Sequence, residues 1–209
     1  MNDNIITDQN YYVLNGIKVE FYFDKESNGY ILEMAEGYSD TLFIPAAING
    51  KPVKYIEFVD WRTSGYDKVI VSEKNTDFKA TDGVLFTSDM KELVIYPPEK
   101  KDEVFSIPDG VEMIGEDSFV SNKYIRTLIF PKGFRQIVQY ALAVCKNLET
   151  LYIPETLEKV YFKAFAACDS IKTVYFQGTE DDWRKIDFTD FNQSVTNAKI
   201  YFNQNYLQS

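Results

Sequence analysis

Four short segments spaced 23 residues apart constrain this chain more than any other feature of its sequence. They are Val104-Phe105-Ser106-Ile107-Pro108, Thr127-Leu128-Ile129-Phe130-Pro131, Thr150-Leu151-Tyr152-Ile153-Pro154 and Thr173-Val174-Tyr175-Phe176-Gln177. Other columns keep the same step: Val111, Phe134 and Leu157; Ile114, Ile137 and Val160; Phe119, Leu142 and Phe165, preceded by Ser118, Ala141 and Ala164. Ile125, Leu148 and Ile171 form a further column, and Asn122, Cys145 and Cys168 another.

A unit this short cannot bury its apolar side alone, so it must stack on its neighbours. Leu151 and Ile153 alternate with Thr150 and Tyr152, the period of a strand with one face inward. Proline at 108, 131 and 154 ends that strand, because it has no N–H for the next ladder bond. The Val/Leu-x-x-Ile/Val step returns the chain to the core, and the Ala-Phe pair plugs the far side. Successive coils are expected about 4.8 Å apart, the spacing of hydrogen-bonded strands. The fold class expected is a β-rich leucine-rich-repeat solenoid with 23-residue repeats.

Earlier sequence fits a looser version of the unit. Thr41-Leu42-Phe43-Ile44-Pro45 repeats the strand and its stop, with Ile56, Trp61, Val69 and Val71 as core positions and extra residues at Asn49-Gly50-Lys51-Pro52. Residues 73–103 interrupt the period and are expected to form an inserted hairpin. Turn signals at Asp82-Gly83 and Ser88-Asp89 lie there beside Val84-Leu85-Phe86 and Leu93-Val94-Ile95. Residues 1–40 are expected to be an N-terminal hairpin cap over the first coil, with strands Tyr12 to Phe23 and Tyr30 to Met34 turning at Ser27-Asn28-Gly29. The solenoid then runs over 41–203, closing in a cap at 178–203, with 204–209 as a tail. In that cap, Thr179 is expected to start a short helix over Glu180 to Ile186, and Lys199-Ile200-Tyr201-Phe202 to form a last strand.

Composition bears on function chiefly by exclusion. The chain has no histidine, which removes His-based triads and His-ligated metals. Its two cysteines cannot build a thiolate zinc site, and no cofactor or metal is expected. The net charge of −10 argues against nucleic acid and anionic membrane surfaces. No apolar run approaches the roughly 20 residues of a membrane span. The residues Met1 to Asp8 carry no basic or apolar stretch of signal-peptide kind, which leaves a cytoplasmic location open.

The Ile-Pro-x-x-Val-x-x-Ile-Gly-x-x-x-Phe unit over Ile107 to Phe119 resembles the BspA-type leucine-rich repeat of bacterial proteins. So do Asp82-Gly83-Val84-Leu85-Phe86 and Phe176-Gln177-Gly178-Thr179 leading to Trp183. The resemblance covers about residues 41–203. It implies a right-handed solenoid, a place outside the cell or on its surface, and adhesion to host proteins. No binding residues transfer, because the family's shared positions are core positions.

Candidate partner-binding residues come instead from the alternation. If Leu151 and Ile153 face inward, the outward positions stack as Ile129, Tyr152, Tyr175 and Tyr201, flanked by Thr127, Thr150, Thr173 and Lys199. Tyrosine is rigid and amphipathic, and recognition surfaces are enriched in it. At about 150–250 Å² each, four such side chains present on the order of 600–1,000 Å². The reading is non-catalytic recognition of a macromolecular partner, protein or glycan, centred on Ile129, Thr150, Tyr152, Thr173, Tyr175 and Tyr201. Against it stand a purely structural ladder, a self-assembling repeat module, and a carbohydrate-active enzyme needing a carboxylate pair in a cleft. Cys145 and Cys168 share a column, so a disulfide is geometrically possible beside the free-thiol reading. Asp24 to Gly29 superficially resembles a calcium loop, but Ala35 stands where the bidentate Glu is needed. Glu180, Asp181 and Asp182 read as helix-capping residues, and Glu99 to Glu103 as a solvated loop.

Overall fold

The computed structural model describes residues 3–57 and 64–205, so the core position expected for Trp61 lies outside the described residues. The chain divides into two compact units, residues 1–89 with 94–100, and residues 90–93 with 101–209.

In the first unit, Tyr11–Leu14, Ile17–Asp24 and Gly29–Tyr38 form an antiparallel run. The single strand expected from Tyr12 to Phe23 is thus two strands. Asn15 and Gly16 stand between them at φ 51° and 84°, the left-handed pair that a two-residue hairpin demands. The expected turn before Gly29 is present. Asp24 accepts the Ser27 N–H at 2.9 Å, so its carboxylate serves the turn.

Thr41–Ile44 pairs in parallel with Lys68–Val71, Thr41 opposite Lys68. The step of 27 rather than 23 is taken up by Ala47–Ile48 pairing with Lys51–Ile56 around Asn49-Gly50. Phe78–Thr81 and Val84–Thr87 form a hairpin around Asp82 and Gly83. The expected inserted hairpin of 73–103 needs correction at its end, because Glu92 and Leu93 pair in parallel with Met113 and Ile114. The core gathers Tyr12, Ile17, Val19, Phe21, Leu32, Leu42, Ile44, Val53, Val69 and Leu85. Ile56 and Val71 pack against it partly buried.

Tyr12 is buried, and its hydroxyl donates to the Phe43 carbonyl at 2.7 Å. Tyr12→Phe is expected to cost about 1–2 kcal/mol, because it strands that carbonyl without a donor. A fall in the urea midpoint at unchanged slope is the check.

The second unit is a β-solenoid. Val104–Ser106, Thr127–Ile129, Thr150–Ile153, Thr173–Phe176 and Lys199–Tyr201 pair in parallel, residue on residue down the stack. A second parallel sheet joins Met113–Ile114, Gln136–Ile137, Lys159–Val160 and Asp187–Phe188. Between them run the apolar columns: Leu128, Leu151 and Val174; Ile114, Ile137 and Val160; Phe119, Leu142 and Phe165, all with no measurable exposure. Serine fits the Ala column at 118 because its hydroxyl donates to the Leu93 and Gly115 carbonyls.

The third side of each coil is also hydrogen-bonded. The Phe119 N–H meets the Ala141 carbonyl at 2.7 Å, and the Leu142 N–H meets the Ala164 carbonyl at 2.9 Å. At the next step the cap replaces the regular corner, and the Asn192 side-chain oxygen accepts the Phe165 N–H at 3.1 Å. The helix begun at Thr179 is a single turn, Glu180–Trp183, rather than extending to Ile186. Its capping box pairs Thr179 with Asp182, as the acids of that segment suggested. Trp183 packs on Phe176 and Phe188. A second turn, Gln193–Thr196, was not expected, and the last strand ends at Tyr201 rather than Phe202.

Candidate functional site

All six sequence-predicted residues, Ile129, Thr150, Tyr152, Thr173, Tyr175 and Tyr201, lie on the outer face of the first sheet of the solenoid. Parallel pairing sets Ile129 beside Tyr152, Tyr152 beside Tyr175, and Tyr175 beside Tyr201. The threonine column runs parallel to it and ends in Lys199. Tyr152 and Tyr175 are half-buried, and Tyr201 is exposed.

The rings do more than share a face. Tyr152 and Tyr175 stack with centroids 4.7 Å apart and planes 20° from parallel, and Tyr175 and Tyr201 stack at 5.3 Å and 19°. In-register parallel strands space side chains by one strand width, which is the stacking distance of aromatic rings. The inner rings are therefore covered on their faces by their neighbours. Lys199 reaches from the threonine column to within 4.7 Å of the Tyr201 ring centre. Its hydrogen bond to Tyr201 raises its pKa above the ordinary lysine value. What the ladder presents outward is a row of ring edges and phenolic hydroxyls.

One feature beside this face was not anticipated. Glu149, just before its strand, lies 3.0 Å from Arg126 of the coil before and 3.6 Å from Lys172 of the coil after. The 23-residue spacing of Arg126, Glu149 and Lys172 was the available signal.

Cys145 and Cys168 are both free and buried. Each donates its S–H to a carbonyl of the preceding coil, Cys145 to Phe119 at 3.1 Å and Cys168 to Leu142 at 3.0 Å. Burial raises the pKa of both thiols, that of Cys168 to about 12, so neither is an activated nucleophile. Asn122, in the same column, accepts the N–H groups of Tyr124 and Ile125.

Among the described residues no group of three Cys, Asp or Glu side chains is arranged to hold a metal. A shallow groove of about 300 Å³ in the solenoid is lined by Arg135, Glu155, Thr156, Leu157, Glu158, Asp182 and Lys185. Two of its three carboxylates are in ion pairs, Glu158 with Arg135 and Asp182 with Lys185, and the third, Glu155, is exposed. Lys185 and Thr179 hold Asp182 well below the carboxylate range, the reverse of what a general acid needs. Asp117, which burial and neighbouring Glu116 push up to about 6, is not among the residues lining this groove.

In-register coils with apolar columns between two parallel sheets define a leucine-rich-repeat solenoid. The chain belongs to the BspA type leucine-rich repeat family, whose model matches residues 100–208 in six copies. It is similar in structure to the pneumococcal vaccine antigen PcpA, at 18% identity over 83% of this chain and 58% of that one, with a TM-score of 0.46. A leucine rich cell surface protein from Faecalibacterium prausnitzii A2-165 is similar at 18% identity, 71% and 51% coverage, and a TM-score of 0.44. A leucine-rich repeat protein from Eubacterium ventriosum ATCC 27560 follows at 20% identity, 72% and 48% coverage, and 0.47. The chain thus spans about half the length of these structures. Comparison with curated proteins gives no match.

Proposed function

We propose that this chain is a non-catalytic recognition module that holds a protein partner on the tyrosine and threonine face of its solenoid, outside the cell or at its surface. The observation that carries the reading is the continuous stack of Ile129, Tyr152, Tyr175 and Tyr201 across four coils. The stacking fixes the rings before binding, so little entropy is lost on contact, and the threonine column beside them widens the face. A protein fits this face better than a glycan. Sugars use their C–H faces against open ring faces, and here the inner ring faces are taken up by neighbouring rings.

The test is a binding screen of the purified chain against extracellular-matrix proteins and a glycan array, followed by the double variant Tyr152→Ser/Tyr175→Ser. At about 1–2 kcal/mol per ring, the double variant is expected to weaken Kd by roughly 100-fold. Circular dichroism should show the fold retained. Full affinity in the double variant overturns the site, and binding confined to glycans overturns the choice of partner. Sedimentation that instead reports a dimer abolished by the same substitutions assigns the face to self-assembly.

A further inference from the structure

We infer that the first unit carries a second docking surface, the outer face of the sheet formed by Ile17–Asp24, Gly29–Tyr38 and Lys51–Ile56, and that it takes an arginine- or lysine-bearing segment of a partner protein. This surface is independent of the tyrosine ladder.

The register places Tyr22 opposite Ile31 and Ile31 opposite Tyr55, so the three form one row across neighbouring strands. Directly opposed residues share a face of the sheet. Their neighbours in sequence face the other side, Phe21 and Leu32 within the core and Ile56 packed against it partly buried. Two aromatic residues are left in solvent by this arrangement, Tyr22 at 42% and Tyr55 at 54% exposure, while Ile31 between them is 7% exposed.

Two residues farther along their strands come Glu33 and Glu57, both exposed. The backbone bond from the Glu57 N–H to the Leu32 carbonyl holds that strand end beside Glu33. Asp24 follows Tyr22 by two residues. Glu33 and Asp24 therefore lie two positions from Ile31 and Tyr22 along their strands, and Glu57 two positions from Tyr55.

None of the three carboxylates has an ion-pair partner among the described residues. Lys54, next to Tyr55 in sequence, is turned to Asp77 at 2.9 Å. A cation from elsewhere therefore meets these carboxylates without having to break an ion pair. Exposed phenol rings beside carboxylates that have no cationic partner among the described residues suit a side chain with an apolar stem and a cationic head. The stem lies along the rings, the head meets their negative faces, and a guanidinium hydrogen-bonds the carboxylates in pairs.

The probe is a capped hexa-arginine peptide, titrated against the full chain by fluorescence anisotropy at two salt concentrations. Glu33→Gln/Glu57→Gln is expected to weaken binding at least 10-fold and to flatten its salt dependence. Tyr55→Ala is expected to weaken it about 5-fold with the salt dependence retained. Glu155→Gln/Asp169→Asn removes the same charge from the solenoid and is expected to leave binding unchanged. If this control weakens binding as much as the sheet pair does, the peptide is answering net charge and the proposal fails. It fails equally if Tyr55→Ala has no effect. All four altered residues other than Tyr55 are exposed charges, so folding of the variants is not in question, and retained ellipticity confirms it for Tyr55→Ala.

Discussion

Phe165→Ala is expected to lower the unfolding free energy by about 3–5 kcal/mol, read from urea denaturation followed by circular dichroism. The ring has no measurable exposure and closes the column of Phe119 and Leu142. Below it lies only the terminal cap, so no further full coil is available to settle into the cavity. In a stack where each repeat leans on its nearest neighbours, damage at the last regular coil also loosens the cap that covers it. Leu142→Ala, flanked by a coil on both sides, belongs in the same series at about 2–5 kcal/mol. A loss below about 1 kcal/mol at Phe165 contradicts a sealed far side of the coil.

Asn192→Ala is the second large effect, at about 2–4 kcal/mol. Asn192 is buried, and its amide makes three bonds. It accepts the Phe165 N–H at 3.1 Å and donates to the Tyr161 and Thr189 carbonyls, each at 2.9 Å. The first bond continues the series made upstream by the Ala141 and Ala164 carbonyls, so in the cap a side chain stands in for the backbone carbonyl of a regular corner. Alanine strands the buried Phe165 N–H and removes a donor from the Thr189 and Tyr161 carbonyls, the latter keeping the Ala164 N–H, at about 1–3 kcal/mol for a stranded group. Asn192→Asp is expected to lose at least as much at neutral pH. A buried carboxylate facing two carbonyls has a raised folded-state pKa, so part of the loss should return on acidification as the protonated acid regains a donor. An unchanged melting temperature in the alanine variant defeats the capping role.

The contrast between these two residues shows what was legible in the sequence. Phe165 stands in a column that repeats at 119, 142 and 165, because every coil needs the same apolar plug. Asn192 lies 27 residues after Phe165, in the cap, where the period has already been abandoned. The alternation of Thr150, Leu151, Tyr152 and Ile153 was enough to place the ladder outward. The covering of its rings was not visible, because it depends on strict parallel register. The tight coil corners were equally hidden. Asp117, Tyr140 and Lys163 hold φ of 53°, 56° and 56°, and Ser121, Val144 and Ala167 hold 60°, 63° and 54°, with no glycine to mark them. Stacking hydrogen bonds such as Val144 N–H to the Ala166 carbonyl impose that conformation on residues that do not prefer it. The Asn15-Gly16 turn carried a readable signal, but the apolar alternation on both sides of it made Tyr12 to Phe23 look continuous.

The sealed thiols of Cys145 and Cys168 give the stack a built-in clock. Neither sulfur meets solvent while its coil is closed, so a maleimide or disulfide reagent in excess reacts only as fast as that coil frays. Cys168 is the nearer to the terminal cap and should be consumed first. The ratio of the two labelling rates then measures how steeply cohesion rises from the end of the solenoid toward its middle.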